Sequence, residues 1–183
     1  KIYERALSAA EIQQQYNSKV TLLEGESYVV NTRYNELGPD YNGLVGLWHL
    51  NEPSGSSNFT DSSGNQYTGY CIGNKCPAAA EGILSGAFKF DGSNDAINTT
   101  YQFNYSASSD FTWTAWIKTN PKSTFNMIMG VTEEAGTNDP SLKFYLNSNG
   151  KLEASSRDLS GNAWNATANK VLHDNNWHFV ALV

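Results

Sequence analysis

Apolar and polar positions change rhythm twice along this chain. The opening stretch "IYERALSAAEI" reads as a strand tail followed by a short helix that ends near Tyr16. Its start is specified completely. Ser8 accepts from the backbone N–H of Glu11, Glu11 reaches back to Ser8, and Leu7 packs on Ile12 as a hydrophobic staple. Residues 19–42 show no sustained period and carry Gly25, Gly38 and Pro39. They are expected to form a connector with one strand at residues 27–32.

From residue 43 the pattern becomes short alternating runs between turn signals. "GLVGLWHLN" sets Leu44, Gly46, Trp48 and Leu50 against Val45, Leu47 and His49. "YTGYCI" and "GAFKFDG" are short strands, and "DFTWTAWIKT" sets Phe111, Trp113, Ala115 and Ile117 against Thr112, Thr114, Trp116 and Lys118. The clearest hairpin is "SLKFYLNSNGKLEASS", with Asn149-Gly150 at the turn and Leu142, Phe144 and Leu146 on one face. "NWHFVALV" is apolar on both faces and is expected to be a buried strand. Strands spaced by roughly 10–15 residues with turn residues between them predict an all-β antiparallel sandwich or jelly roll. A buried strand at residues 176–183 lacks the neighbours that should follow it, so the unit starting at residue 43 is expected to be truncated.

Composition narrows the function classes. The net charge is −6 and the 12 Lys and Arg are scattered singly, whereas nucleic-acid binding needs a basic stripe. No apolar run approaches the ~20 residues that cross a bilayer. No signal peptide is read in the chain, so any export signal is expected upstream in a longer polypeptide. The two cysteines lie in "CIGNKC", a Gly- and Asn-rich loop short enough to bring Cys71 and Cys76 together as a disulfide in an exported protein. Two thiols without His or Cys partners make a poor zinc site.

The order of motifs then resembles a known family. "GLVGLWHLNEPSGSSNFTDSSGNQYTG", "GILSGAFKFDGSNDAINT", "DFTWTAWIKT" and "NNWHFVALV" are similar, in this order, to the strands and turns of laminin-G-like, concanavalin A-like jelly-roll domains. "KIYERALSAAEI" resembles the C-terminal tail of such a domain. The resemblance implies a concanavalin A-type jelly roll with this organisation: residues 1–18 as the strand end and helix of a preceding unit, 19–42 as a linker, and 43–183 as a second unit cut at its C-terminus. An alternative is that residues 1–18 dock onto the unit that follows them.

Relatives of this kind often carry calcium at acidic turns, which makes Asp61 and Asn65 of "DSSGN" and Asp91, Asn94 and Asp95 of "DGSND" candidate calcium ligands. The competing reading is that these residues are turn formers bonded to their own backbone. Among the aromatics, Trp48, Trp113, Trp116 and Trp177 fall inside apolar strands and are expected in the core. Trp164 in the polar stretch "SGNAWNATAN" is expected in a loop and is the better ligand candidate, followed by Tyr101 and Tyr105 in "TYQFNYSAS", which also fits an edge strand. Glycoside hydrolysis takes two carboxylates flanking the scissile bond, and no strand here carries an E-x-D-x-x-E pattern. Glu133 and Glu134 are adjacent, so on a strand they would face opposite ways. The four Asn-x-Ser/Thr sequons, at Asn58, Asn98, Asn104 and Asn165, are about as many as the Asn, Ser and Thr content produces by chance. The expectation is a non-catalytic binding or adhesion module of a secreted or cell-surface multidomain protein. Its partner would be carbohydrate or a surface glycoprotein, with like domains beside it in the same chain. A structural spacer, a protein–protein interaction domain or an accessory module of a polysaccharide-degrading enzyme are the alternatives.

Overall fold

The computed structural model describes residues 1–17, 21–23, 27–29, 42–83, 85–103, 110–120, 125–132, 141–157 and 162–183. It divides into two compact units, Lys1–Gln102 and Phe103–Val183. The ladders within them are antiparallel and the helix at Ala9–Asn17 is the one α-helix among the described residues, so the chain is of the all-β sandwich class that the strand spacing predicts.

In the first unit, β1 (Ile2–Tyr3) pairs with β4 (Leu44–Gly46), with Tyr3 opposite Leu44. The helix α1 (Ala9–Asn17) begins as its sequence dictates: the Ser8 N–H donates to Glu11 Oε2 at 2.8 Å, and the Glu11 N–H donates to Ser8 Oγ at 3.3 Å. Arg5 ties this segment to the turn before β4, its Nε donating to the Asn42 carbonyl at 2.7 Å and its Nη2 pairing with Glu11 at 2.7 Å. Behind them Tyr3, Leu7 and Leu44 form a buried cluster against which Ile12 and Leu47 pack. The buried Gln15 donates to the Tyr3 hydroxyl at 3.1 Å, so the one polar group in this cluster is satisfied.

Two expectations need correction here. The connector holds a two-stranded ladder, β2 (Thr21–Leu23) with β3 (Ser27–Val29), where one strand at residues 27–32 was expected. The run at residues 43–51 is regular only through Gly46. The Trp48 ring folds back over Gly46, where a Cβ would lie 2.3 Å from it, and Leu50 adopts a left-handed φ of 55°. The rest of the unit is short strands: β5 (Asn58–Phe59), β6 (Gly69–Tyr70) and β9 (Asn98–Thr99) in one sheet, and the hairpin β7 (Ala78–Glu81) with β8 (Gly86–Lys89).

In the second unit, β10 (Thr112–Lys118) pairs with β15 (Trp177–Leu182), Trp113 opposite Leu182. A four-stranded sheet runs in sequence order: β11 (Asn126–Thr132), β12 (Ser141–Leu146), β13 (Lys151–Arg157) and β14 (Ala163–Val171). Trp113, Leu142, Phe144, Leu146, Ala154, Leu172 and Val180 are buried. Phe103 packs edge to face on Phe111 and Trp113, with ring centres 5.3 and 5.4 Å apart, and Phe111 lies tilted against Trp113 at 5.7 Å. The expected burial of β15 holds only for Val180; Phe179, whose ring centre lies 5.3 Å from that of Trp116 on its ladder partner, is half-buried.

Candidate functional site

The most developed polar constellation lies on the four-stranded sheet of the second unit. Side chains alternate across a strand, and β12 shows it plainly: Leu142, Phe144 and Leu146 are buried while Ser141, Lys143 and Tyr145 are not. The hairpin turn sets the register. Asn147 N–H donates to the Lys151 carbonyl at 2.9 Å, Gly150 N–H donates to the Asn147 carbonyl at 2.8 Å, and Gly150 takes a φ of 74° that glycine adopts without strain. Tyr145 therefore stands opposite Glu153, Lys143 opposite Ser155, and on the next strand Thr167 opposite Glu153 and Asn165 opposite Ser155. On the other side Met127 stands opposite Tyr145 and Gly130 opposite Lys143.

Glu153 is the hub of this face. Its Oε1 accepts from the Tyr145 hydroxyl at 2.5 Å, and its Oε2 accepts from Asn147 Nδ2 at 2.9 Å and from Thr167 Oγ1 at 3.3 Å. The Tyr145 hydroxyl, then Asn147, with help from Thr167 and Asn165 and against the desolvation of the site, hold the Glu153 carboxyl below its usual range. Desolvation and then the bond to Glu153 push the Tyr145 hydroxyl up. Asn147 is itself fixed, because its Oδ1 accepts the N–H groups of Asn149 at 3.0 Å and Lys151 at 3.1 Å. An ionised carboxylate thus orients a phenol, an amide and a hydroxyl on an open sheet face. Beside them Phe125 is 66% exposed, its ring centre 6.1 Å from that of Tyr145, and Met127 is 45% exposed. At the described outward positions of this sheet Glu153 is the one carboxylate.

The residues singled out from sequence are distributed elsewhere. Trp164 is 44% exposed, but it lies on the edge strand β14 and not in a loop. It pairs with Ser156, which places it on the sheet face opposite to Glu153. Tyr101 is half-buried, its hydroxyl donating to Glu4 Oε1 at 2.9 Å and its ring 4.8 Å from Tyr67. Desolvation and then the Glu4 bond push that hydroxyl up. Tyr105 lies outside the described residues.

The acidic turns are engaged with backbone. Asp61 Oδ1 accepts from the Leu47 and Ser63 N–H groups, both at 2.9 Å, and Oδ2 accepts from Ser63 Oγ at 2.8 Å and the Tyr67 N–H at 3.0 Å. Burial pushes the Asp61 carboxyl upward, but these bonds together outweigh it and hold it low. Asn65 Nδ2 donates to the Val45 carbonyl at 2.9 Å. Asp91 Oδ1 accepts from the N–H groups of Ser93 at 2.7 Å, Asn94 at 3.2 Å and Asp95 at 3.4 Å, and Asp95 Oδ2 accepts from the Asp91 N–H at 2.8 Å. Among the described residues no group of three or more His, Cys, Asp or Glu stands where it could hold a metal ion. Cys71 and Cys76 form the expected disulfide, and the Lys75 carbonyl in its loop accepts the Ala96 N–H at 3.0 Å.

Sequence reasoning missed the Tyr145–Glu153 group. Its signal was present: once Asn149-Gly150 fixes the hairpin and the even positions of β12 are inward, the odd positions must meet on the open side.

A family model described as the concanavalin A-like lectin/glucanases superfamily matches residues 91–183, just over half of the chain. The chain belongs to this superfamily. The match includes all four strands β11–β14 and the Asp91 turn. No curated protein matches. One solved structure is similar: an S-layer domain-containing protein (residues 221–444) from Clostridium thermocellum ATCC 27405, with 16% identity and a TM-score of 0.48. The alignment covers 72% of this chain, which spans about 60% of the length of that structure. No helix among the described residues is long and apolar enough to cross a membrane.

Proposed function

We propose that this chain is a non-catalytic glycan-binding module of an exported multidomain protein, acting in adhesion or substrate attachment, and that it holds carbohydrate on the outward face of β11–β14. The observation that carries the reading is the Glu153 hub. Its oxygens are filled by the protein's own side chains, so the carboxylate is an organiser of neutral donors and acceptors rather than a free acid. Sugar rings offer C–H faces to aromatic and thioether surface and hydroxyls to amides, which matches Phe125, Tyr145 and Met127 beside Asn165 and Thr167. One carboxylate at the described outward positions favours binding over hydrolysis, which takes two. The Cys71–Cys76 disulfide supports an oxidising compartment.

A glycan array followed by titration calorimetry of the chain and of Phe125→Ala and Tyr145→Ala tests this. At least one glycan class should bind, and each substitution should weaken it by about tenfold, as the loss of one stacked ring implies. Absence of binding to every class, or full affinity in both variants, contradicts the reading.

A further inference from the structure

We infer that β14 is a pairing edge for a second copy of this chain, the two β14 strands running antiparallel about a twofold axis at Asn165. The inference goes beyond the glycan-binding reading and does not depend on it.

Among the described residues β14 ends the four-stranded sheet, with β13 as its ladder partner. All nine of its residues are exposed, on both faces of the sheet, and Trp164 is 44% exposed. An edge strand presents a row of unpaired N–H and C=O groups, which proteins that stay apart blunt with charge, proline, a bulge or a covering segment. Residues 163–167 read "AWNAT" and carry neither a charge nor a proline. Their ladder to β13 is regular, from Arg157 opposite Ala163 to Glu153 opposite Thr167. The irregularity comes later. The register shifts between Lys151 and Glu153, and Lys170, the only charge in β14, lies past that shift. The C-terminal end of the edge is thus blunted, and residues 163–167 are its open part.

The sequence of the open part chooses the partner. Laid antiparallel on itself so that all five residues are used, it sets Asn165 opposite its own counterpart. Trp164 then stands opposite Ala166 of the second copy, and Ala163 opposite Thr167 of the second copy. Side chains that stand opposite each other share a face. Trp164 and Ala166 are on the face of the buried Ser156 and Ala154, so the largest side chain there meets the smallest, twice. On the outward face an amide meets an amide and a hydroxyl-bearing side chain meets a methyl. No like charges meet at the axis. A twofold pair uses each edge once, so assembly closes at the dimer. It also joins the two β11–β14 sheets into one, with both Tyr145–Glu153 faces on the same side, an arrangement suited to bivalent attachment. A solvated edge, or one completed by a strand of a different protein, is the alternative, and either leaves the chain monomeric on its own.

The test is sedimentation equilibrium of the full chain from about 10 μM to about 1 mM, since a contact this short falls below the roughly 1,600 Å² of a standard interface. The average mass should rise with concentration from 20.1 kDa towards twice that value and stop there. Asn165→Lys and Asn165→Glu each set like charges against each other across the axis, so each alone should weaken association severalfold. An equimolar mixture of the two should restore it, which misfolded chains would not do. Trp164→Ala should also weaken association severalfold. A chain that stays monomeric throughout, growth past the dimer, or association untouched by Asn165→Lys and Trp164→Ala overturns the inference. None of these outcomes bears on the glycan reading, which the array decides.

Discussion

Asp61 and Glu153 are both held below the ordinary carboxylate pKa, for different ends. Asp61, in the first unit, is bonded mainly by main chain: three of its four donors are the N–H groups of Leu47, Ser63 and Tyr67. Glu153, in the second, is bonded by side chains alone: Tyr145, Asn147 and Thr167. Main-chain donors turn a carboxylate into a knot in the backbone, because the chain cannot leave without losing acceptors. Side-chain donors turn it into an organiser of a surface. A low pKa by itself therefore does not mark a functional group. What supplies the bonds decides.

The comparison breaks most visibly at Asp61. Asp61→Ala strips acceptors from three N–H groups, and at about 1 kcal/mol for each the loss should be about 2–3 kcal/mol, read as a lowered denaturant midpoint. A midpoint shift worth under about 0.5 kcal/mol would show that the turn does not depend on its carboxylate.

Glu153 sharpens the other side. Its pKa is depressed from the model-compound value of 4.5, so the ionised form is favoured in the folded chain. What it contributes is present above that value and lost as pH falls through the lower folded value. Binding of a neutral oligosaccharide, which has no acid of its own to titrate, should weaken as pH falls below the usual carboxylate range. Glu153→Gln should flatten that acid limb and weaken binding severalfold at pH 7, because the amide nitrogen confronts donors from Asn147 and Tyr145. The same substitution should move the denaturant midpoint less than Asp61→Ala does. An unchanged acid limb in the Gln variant would assign the pH dependence to another group.

Local chemistry made much of the fold legible in the sequence. Ser8 and Glu11 specify the start of α1 by contacts three residues apart, Asn149-Gly150 specifies the β12–β13 turn, and Cys71 and Cys76 lie within one short loop. The strand following Gly43 was overextended because the fold-back of the Trp48 ring onto Gly46 is a tertiary event. Trp164 was misplaced because β14 is an edge strand whose residues are all exposed, so no apolar alternation announced it. The site was harder to see, since Tyr145 and Glu153 meet only across a ladder and neither is unusual in its own stretch. The aromatic residues that drew attention first, Trp164 and Tyr101, are on the far side of a sheet and tied to Glu4 respectively.

The central claim, that the outward face of β11–β14 is where this chain holds carbohydrate, is tested most directly by an NMR titration of the amide resonances with the tightest-binding oligosaccharide. The account predicts shifts concentrated at Met127, Gly130, Lys143, Tyr145, Ser155 and Thr167, with the Asp61 and Asp91 turns silent. Shifts concentrated at those turns, with the sheet face unmoved, would contradict it.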